Sequence, residues 1–200
     1  MADQGRSSRE RRELPAMIRV ARAEDGERLA DLLAACSADS LRQRFLSTPP
    51  RMTGAVIDRM LRPLGGFTLL AVDRDGAALG AVQVTPVGAA TVDVAVLISD
   101  DDQRRGLGER LVRSAARRAA AVGFTEMVAC GTPDNRGLVR LLARLGLAPY
   151  GRLEDGLLAV RAPLAAVDAP TGEGFDGAGL DGAGLDGAGL DGAGLDAPAA

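Results

Sequence analysis

The sequence predicts an α/β fold of mixed type, a mostly antiparallel sheet with flanking helices. Three observations carry this. Strand-like runs occur as consecutive hairpins, three helical segments interrupt any βα alternation near the start, and a single β-α-β crossover follows the hairpins. The order read along the chain is β-α-α-α-β-β-β-α-β-α-β-β.

Each element has its own signal. MIRVAR (17–22) alternates as a strand. In AEDGERLADLLAAC, Leu29, Leu32 and Leu33 share one helical face, and the acids sit at the start, where the helix dipole favours them. SADSLRQRFL and MTGAVIDRML read as short helices, each opened by a Ser or Thr cap. GFTLLAVDRDGAALGAVQVTP gives strand, Asp-Gly turn, strand. TVDVAVLIS is a further strand, followed by a glycine turn and the helix ERLVRSAARRAAAV. EMVAC, the loop GTPD, the helix NRGLVRLLARLGL and the strands APYGRL and GLLAVRA complete the set. A purely parallel dinucleotide-binding sheet is disfavoured, since GLGERL lacks the third glycine of its fingerprint.

Composition removes several chemistries. All 24 basic residues are arginine, and there is no lysine, histidine or tryptophan, so neither a P-loop nor a histidine-based triad can be built. Without histidine, and with only Cys36 and Cys130 far apart in sequence, no metal site is expected. Both cysteines are expected to be small buried residues. Aromatic content of 2% makes the core aliphatic. No apolar segment suits a signal peptide or membrane span, so a soluble cytoplasmic protein without a membrane partner is expected.

Charge divides the chain. Residues 1–16 are polar, charged and aperiodic, which reads as a disordered basic arm. Residues 17–165 form the expected domain. From Asp168 onward there are seven acids and no base, with Phe175, Leu180, Leu185, Leu190 and Leu195 in a five-residue register. Residues 166–200 are therefore expected as a flexible, acidic, Gly-rich tail, because five such repeats cannot bury a core of their own. The first 167 residues carry a net charge of only +4, too weak an excess to argue for nucleic acid.

The chemistry concentrates at QRRGLGERL (103–111). Two glycines at a helix N-terminus let backbone N–H groups of Arg105 to Glu109 converge on an anion, and the helix dipole adds to them. Arg104 and Arg105 flank this cradle and offer further donors to phosphate oxygens.

VDVAVLISDDDQRRGLGERLV resembles the acetyl-CoA motif of the GNAT superfamily of N-acetyltransferases, a strand followed by Q-x-x-G-x-G. PDNRGLVRLLARLGL resembles that superfamily's following segment, with Asn135 opening the helix and Leu147 in place of the usual Phe. SADSLRQRF is similar to the S-x-x-S-x-x-x-RF segment of bacterial Pat-type protein acetyltransferases. The resemblance spans roughly Ile18 to Leu164. It implies an acyl-CoA N-acyltransferase fold and acetyl transfer from acetyl-CoA to a primary amine by direct attack, with no metal.

By position the resemblance gives the pantetheine to backbone amides of Val96, Leu97 and Ile98. It gives the pyrophosphate to Gln103, Arg104, Arg105, Gly106, Leu107 and Gly108, and the pantetheine arm also to Asn135. Asp93 is the expected general base, where Pat-type proteins carry a glutamate. Being one methylene shorter, it is expected to reach the amine through a bridging water. Asp100, Asp101 and Asp102 are expected as a solvated loop. Many GNAT enzymes place an acid-donating tyrosine at the position held here by Leu142, and the sole tyrosine, Tyr150, follows the helix. A thiol of pKa ~8.5 leaves without such an acid. The acceptor is a protein lysine or a small molecule, and the Pat-like segment favours lysine. A degenerate domain acting as an acetyl-CoA sensor, or an interaction module, is the alternative.

Overall fold

The computed structural model describes residues 17–168; the expected arm, and the expected tail beyond Asp168, lie outside them. The elements are β1 (Met17–Val20), α1 (Gly26–Ala34), α2 (Ala38–Phe45), α3 (Gly54–Leu61), β2 (Phe67–Val72), β3 (Ala78–Pro86) and β4 (Thr91–Ile98). They continue with α4 (Leu107–Ala121), β5 (Glu126–Gly131), α5 (Arg136–Arg144), β6 (Gly151–Glu154), β7 (Leu157–Pro163) and α6 (Leu164–Asp168). The strands form one sheet in the order β1-β2-β3-β4-β5-β7-β6, antiparallel throughout except for the parallel β4–β5 pair. This is the mixed sheet with flanking helices that the element order predicts.

Period-two alternation sorts the side chains. Val82, Val84, Val92, Val94, Met127 and Ala129 turn to one face, against Leu107, Leu111, Val112, Ala115 and Ala119 of α4. Leu70, Val72, Ala81 and Leu97 turn to the other, against Leu29, Leu32 and Leu33 of α1 and Ile57 and Leu61 of α3. The interior is aliphatic, as the composition requires. Cys36 is buried, but Cys130 is exposed near the end of β5, contrary to expectation. Cys130 lies past Val128, the last β5 residue paired with β4, so β5 has no strand beside it on that side.

Ser37 and Thr53 cap α2 and α3 through their side-chain oxygens. Three details depart from the sequence reading. Ala148–Tyr150 is a 3-10 turn, and the strand begins only at Gly151, because Pro149 cannot donate to a ladder. α4 starts at Leu107, two residues before the expected Glu109. Finally, α6 extends past the expected domain boundary at 165, and Val167 is fully buried against the face that α4 covers.

Candidate active site

The parallel β4–β5 ladder has three rungs, ending at Asp93 opposite Val128. Beyond that rung β4 continues to Ile98 and β5 to Gly131 without pairing with each other. The two strands therefore part, and a groove of about 700 Å³ opens between them. The N-terminal turn of α4 and the first residues of α5 line it as well.

The register of β4 decides which backbone groups face this groove. Ser99 N–H donates to Leu79 C=O at 3.0 Å, so Ser99 and Leu79 form a hydrogen-bonded pair. Alternation along an antiparallel ladder then turns the backbone groups of Leu97 and Ala95 toward β3, and those of Val96 and Ile98 away from it, into the gap. Val96 and Ile98 thus present N–H groups to the groove. Leu97 also lines the groove, but its amide faces β3 and its side chain packs with α1 and α3, so it offers the groove no N–H. The expectation took three consecutive amides, whereas a pleated strand offers alternate ones.

The turn between β4 and α4 is built to gather N–H groups. Arg104 (φ 60°) and Gly106 (φ 80°) are left-handed, with Arg105 between them at negative φ. Such alternation folds successive N–H groups around one point, and the N-terminus of the fifteen-residue α4 adds its partial positive charge. A β-carbon on Gly108 would lie 3.8–3.9 Å from Leu141 and Ile98, in ordinary contact on the groove wall.

Gln103, Arg104, Gly106, Leu107 and Gly108 all line the groove. Arg105 does not. Its guanidinium is paired with Asp102, so it braces the turn rather than facing the cavity. Asp102 also accepts the Ser99 hydroxyl at 2.7 Å and is buried, and Asp100 bonds across to α2. Asp100 and Asp102 are therefore not the solvated loop residues expected, whereas Asp101 is exposed.

Asn135 lines the groove while its Oδ1 accepts the Leu138 N–H at 2.9 Å, capping α5. Gly131 lets α5 come close, because a β-carbon there would meet Leu138 Cδ2 at 2.2 Å. Sequence reading missed Arg136, Arg140 and Arg144, which line the same groove at i, i+4 and i+8 of α5. Their spacing was the available signal. Arg144 reaches to 3.9 Å from the position of a Gly106 β-carbon.

Asp93 sits at the vertex where β4 and β5 part, on the sheet face toward α2, and is not itself part of the groove lining. Burial pushes its carboxyl above the ordinary range, and the nearby Arg44 guanidinium opposes that shift. Burial likewise lowers Arg44, with Asp93 opposing. Arg44 is held by Gln83 Oε1 at 2.5 Å. Burial raises the Cys130 thiol, assisted by the Asp93 and Glu154 carboxylates, so it remains protonated. Leu142, at the tyrosine position, is buried against the core, while Tyr150 lies outside the groove lining.

Residues 20–147 match the model of the acetyltransferase (GNAT) family. Similar solved structures include the GNAT domain of S. lividans PAT, 23% identical with TM-score 0.67, covering 73% of this chain and 89% of that one. A phosphinothricin acetyltransferase from Sinorhizobium meliloti, solved with AcCoA, is 18% identical with TM-score 0.61, over 75% and 89%. YncA from Salmonella typhimurium, solved with its cofactor acetyl-CoA, is 19% identical with TM-score 0.59, over 74% and 93%. No curated protein matches the sequence.

Proposed function

Because the chain belongs to the GNAT family of acetyltransferases, we propose that it binds acetyl-CoA in the β4–β5 groove and transfers the acetyl group to a primary amine, with protein lysine as the acceptor class. The observation that carries the reading is the parting of β4 from β5 directly above a left-handed, glycine-containing turn at a helix N-terminus. Unpaired strand amides and converging loop amides then occupy the two ends of one groove.

The residues divide the work. The N–H groups of the turn from Arg104 to Gly108, with the dipole of α4, hold a pyrophosphate. Arg104 and Arg144 add cationic donors to it. Val96 and Ile98 offer strand amides to the pantetheine and to the acyl oxygen, and the free end of Asn135 faces the same arm. Acetyl-CoA supplies the activated acyl group and a thiol leaving group. Asp93, set back from the groove lining, accepts the proton of the incoming ammonium through a bridging water. Leu142 leaves no acid at its position, consistent with a thiolate that departs unaided at pKa ~8.5.

Lysine as acceptor rests on two supports. The Ser37, Ser40, Arg44 and Phe45 pattern is similar to Pat-type proteins, and Asp93, Asp134 and Glu154 offer carboxylates to a cationic side chain. Calorimetric titration with acetyl-CoA is the deciding measurement, since Gly108→Leu projects a side chain into the groove with little strain in the fold. Micromolar binding in the parent protein, weakened at least about a hundredfold in Gly108→Leu, is expected. Absence of binding at millimolar acetyl-CoA overturns the reading. Thiol release with lysine peptides against small amino acids then separates the acceptor classes.

A further inference from the structure

Helix α2 is held to the protein in an unusual way for an eight-residue helix. Leu41 and Phe45 rest half-buried on the core, but no side chain of α2 is fully buried. A helix this short does not persist on its own propensity. Its remaining hold is a set of polar contacts to three other parts of the chain. Gln43 accepts the Thr132 hydroxyl at 2.6 Å, from the loop after β5. Arg44 donates to Gln83 on β3. At its N-terminus, the Asp100 carboxylate accepts the Ser37 N–H at 3.0 Å and the Ser40 hydroxyl at 2.6 Å.

The third contact differs from the other two. Asp100 lies two residues past the end of β4 and three before Gln103, the first residue of the glycine turn. Gln103 Nε2 lies 3.1 Å from Asp100 Oδ1 and 3.1 Å from Ser40 Oγ. One carboxylate therefore joins the turn to α2, and residues of both line the groove. This also accounts for the Ser-x-x-Ser spacing at 37 and 40. The helix cap and the residue three positions on present an N–H and a hydroxyl to the same anion, at the end where the dipole favours it. Burial would raise the Asp100 carboxyl, but the bonds from Ser40 and Ser37 outweigh it and hold the group below its ordinary range, ionised for this task.

We propose that Asp100 is a positioning residue that couples occupancy of the glycine turn to the seating of α2, whose Gln43 and Arg44 line the groove. The inference rests on the acetyl-CoA reading of the turn. Anything that settles on the turn and fixes Gln103 then also fixes Asp100, and through Ser37 and Ser40 the helix that carries Gln43 and Arg44. A plain helix cap would not do this. It would stabilise α2 equally whether or not the turn is filled.

Amide hydrogen exchange distinguishes the two, in the full chain with and without saturating acetyl-CoA, for the parent protein, Asp100→Ala and Ser40→Ala. In the parent, acetyl-CoA is expected to slow exchange both in residues 103–112 and in residues 38–45, the latter about tenfold, as fits a charge-assisted hydrogen bond. In Asp100→Ala the slowing at 103–112 persists, while that at 38–45 falls below about twofold. Ser40→Ala gives an intermediate value and decides the matter by the same ratio if Asp100→Ala does not fold. Undiminished slowing of α2 in both variants overturns the proposal, as does a parent protein whose turn is protected while α2 is not. Protection of neither segment in the parent removes the acetyl-CoA reading itself, and the proposal with it.

Discussion

Asp93 is a carboxylate placed in the middle strand of a sheet, where a charge is costly unless it is used or compensated. Its partial compensation by Arg44 leaves its pKa raised rather than lowered. As the proposed general base it must be deprotonated to act, so activity is expected above the raised value and to fall as pH drops through it. The acidic limb of the kcat/KM profile is therefore expected above the ordinary carboxylate range of about 4. Arg44→Gln removes the opposing charge and should move that limb further up. Asp93→Asn should lower kcat by about a hundredfold or more while acetyl-CoA affinity stays within about twofold. Thiol-release kinetics across pH 5–9, paired with calorimetry, measure both. A profile limb unmoved in Arg44→Gln would separate the two groups and discard this coupling.

At the scale of elements, the sequence was readable wherever a local pattern decides the outcome. The 3.6-residue period of Leu29, Leu32 and Leu33, the Asp-Gly turn after Val72 and the glycines before α4 each act within a few residues. The parting of β4 and β5 is not local, because it depends on where two strands stop pairing, and nothing in either strand announces it. The orientation of the Leu97 amide is likewise set by β3. Asp100 and Asp102 look like a solvated acidic loop until Ser37, Ser40 and Arg105 are brought to them, two of these from about sixty residues away. α6 was missed for a similar reason. Its five residues resemble the start of a tail, but Val167 is fully buried and its carbonyl accepts from Arg113. A chain ending at residue 164 is accordingly expected to be less stable than one ending at 168 by about 2–3 kcal/mol, what one buried Val and one charge-assisted bond leave after the entropy of ordering the segment. Urea denaturation of the two chains measures it, and equal midpoints would assign α6 no structural role.

Across the whole molecule, one buried carboxylate ties distant parts of the first half together. Asp25 accepts both Arg19 guanidinium nitrogens at 2.6 and 2.7 Å, the Arg22 N–H at 2.8 Å, and Arg28 at 3.1 Å. Arg28 in turn donates to Gly76 C=O at 2.9 Å, in the β2–β3 turn. Edge strand β1, helix α1 and the first hairpin are thus held by a side chain with no solvent exposure. The sequence reading took Asp25 only as a favourable acid at a helix start. The Arg19 hydrogen bond, working against burial and with help from Arg22 and Arg28, holds its carboxyl down to about 2. A depressed folded-state value means that this stabilisation is fully present above the unfolded value of about 3.9 and is lost as pH falls toward 2. Asp25→Asn should therefore cost about 2–3 kcal/mol at neutral pH, since it leaves Arg19 without its charged partner. The gap between variant and parent should narrow between about pH 4 and pH 2. Thermal or urea unfolding of both proteins from pH 7 down to pH 2 tests this, and a gap that stays constant with pH would show that the carboxylate's charge contributes nothing to the network.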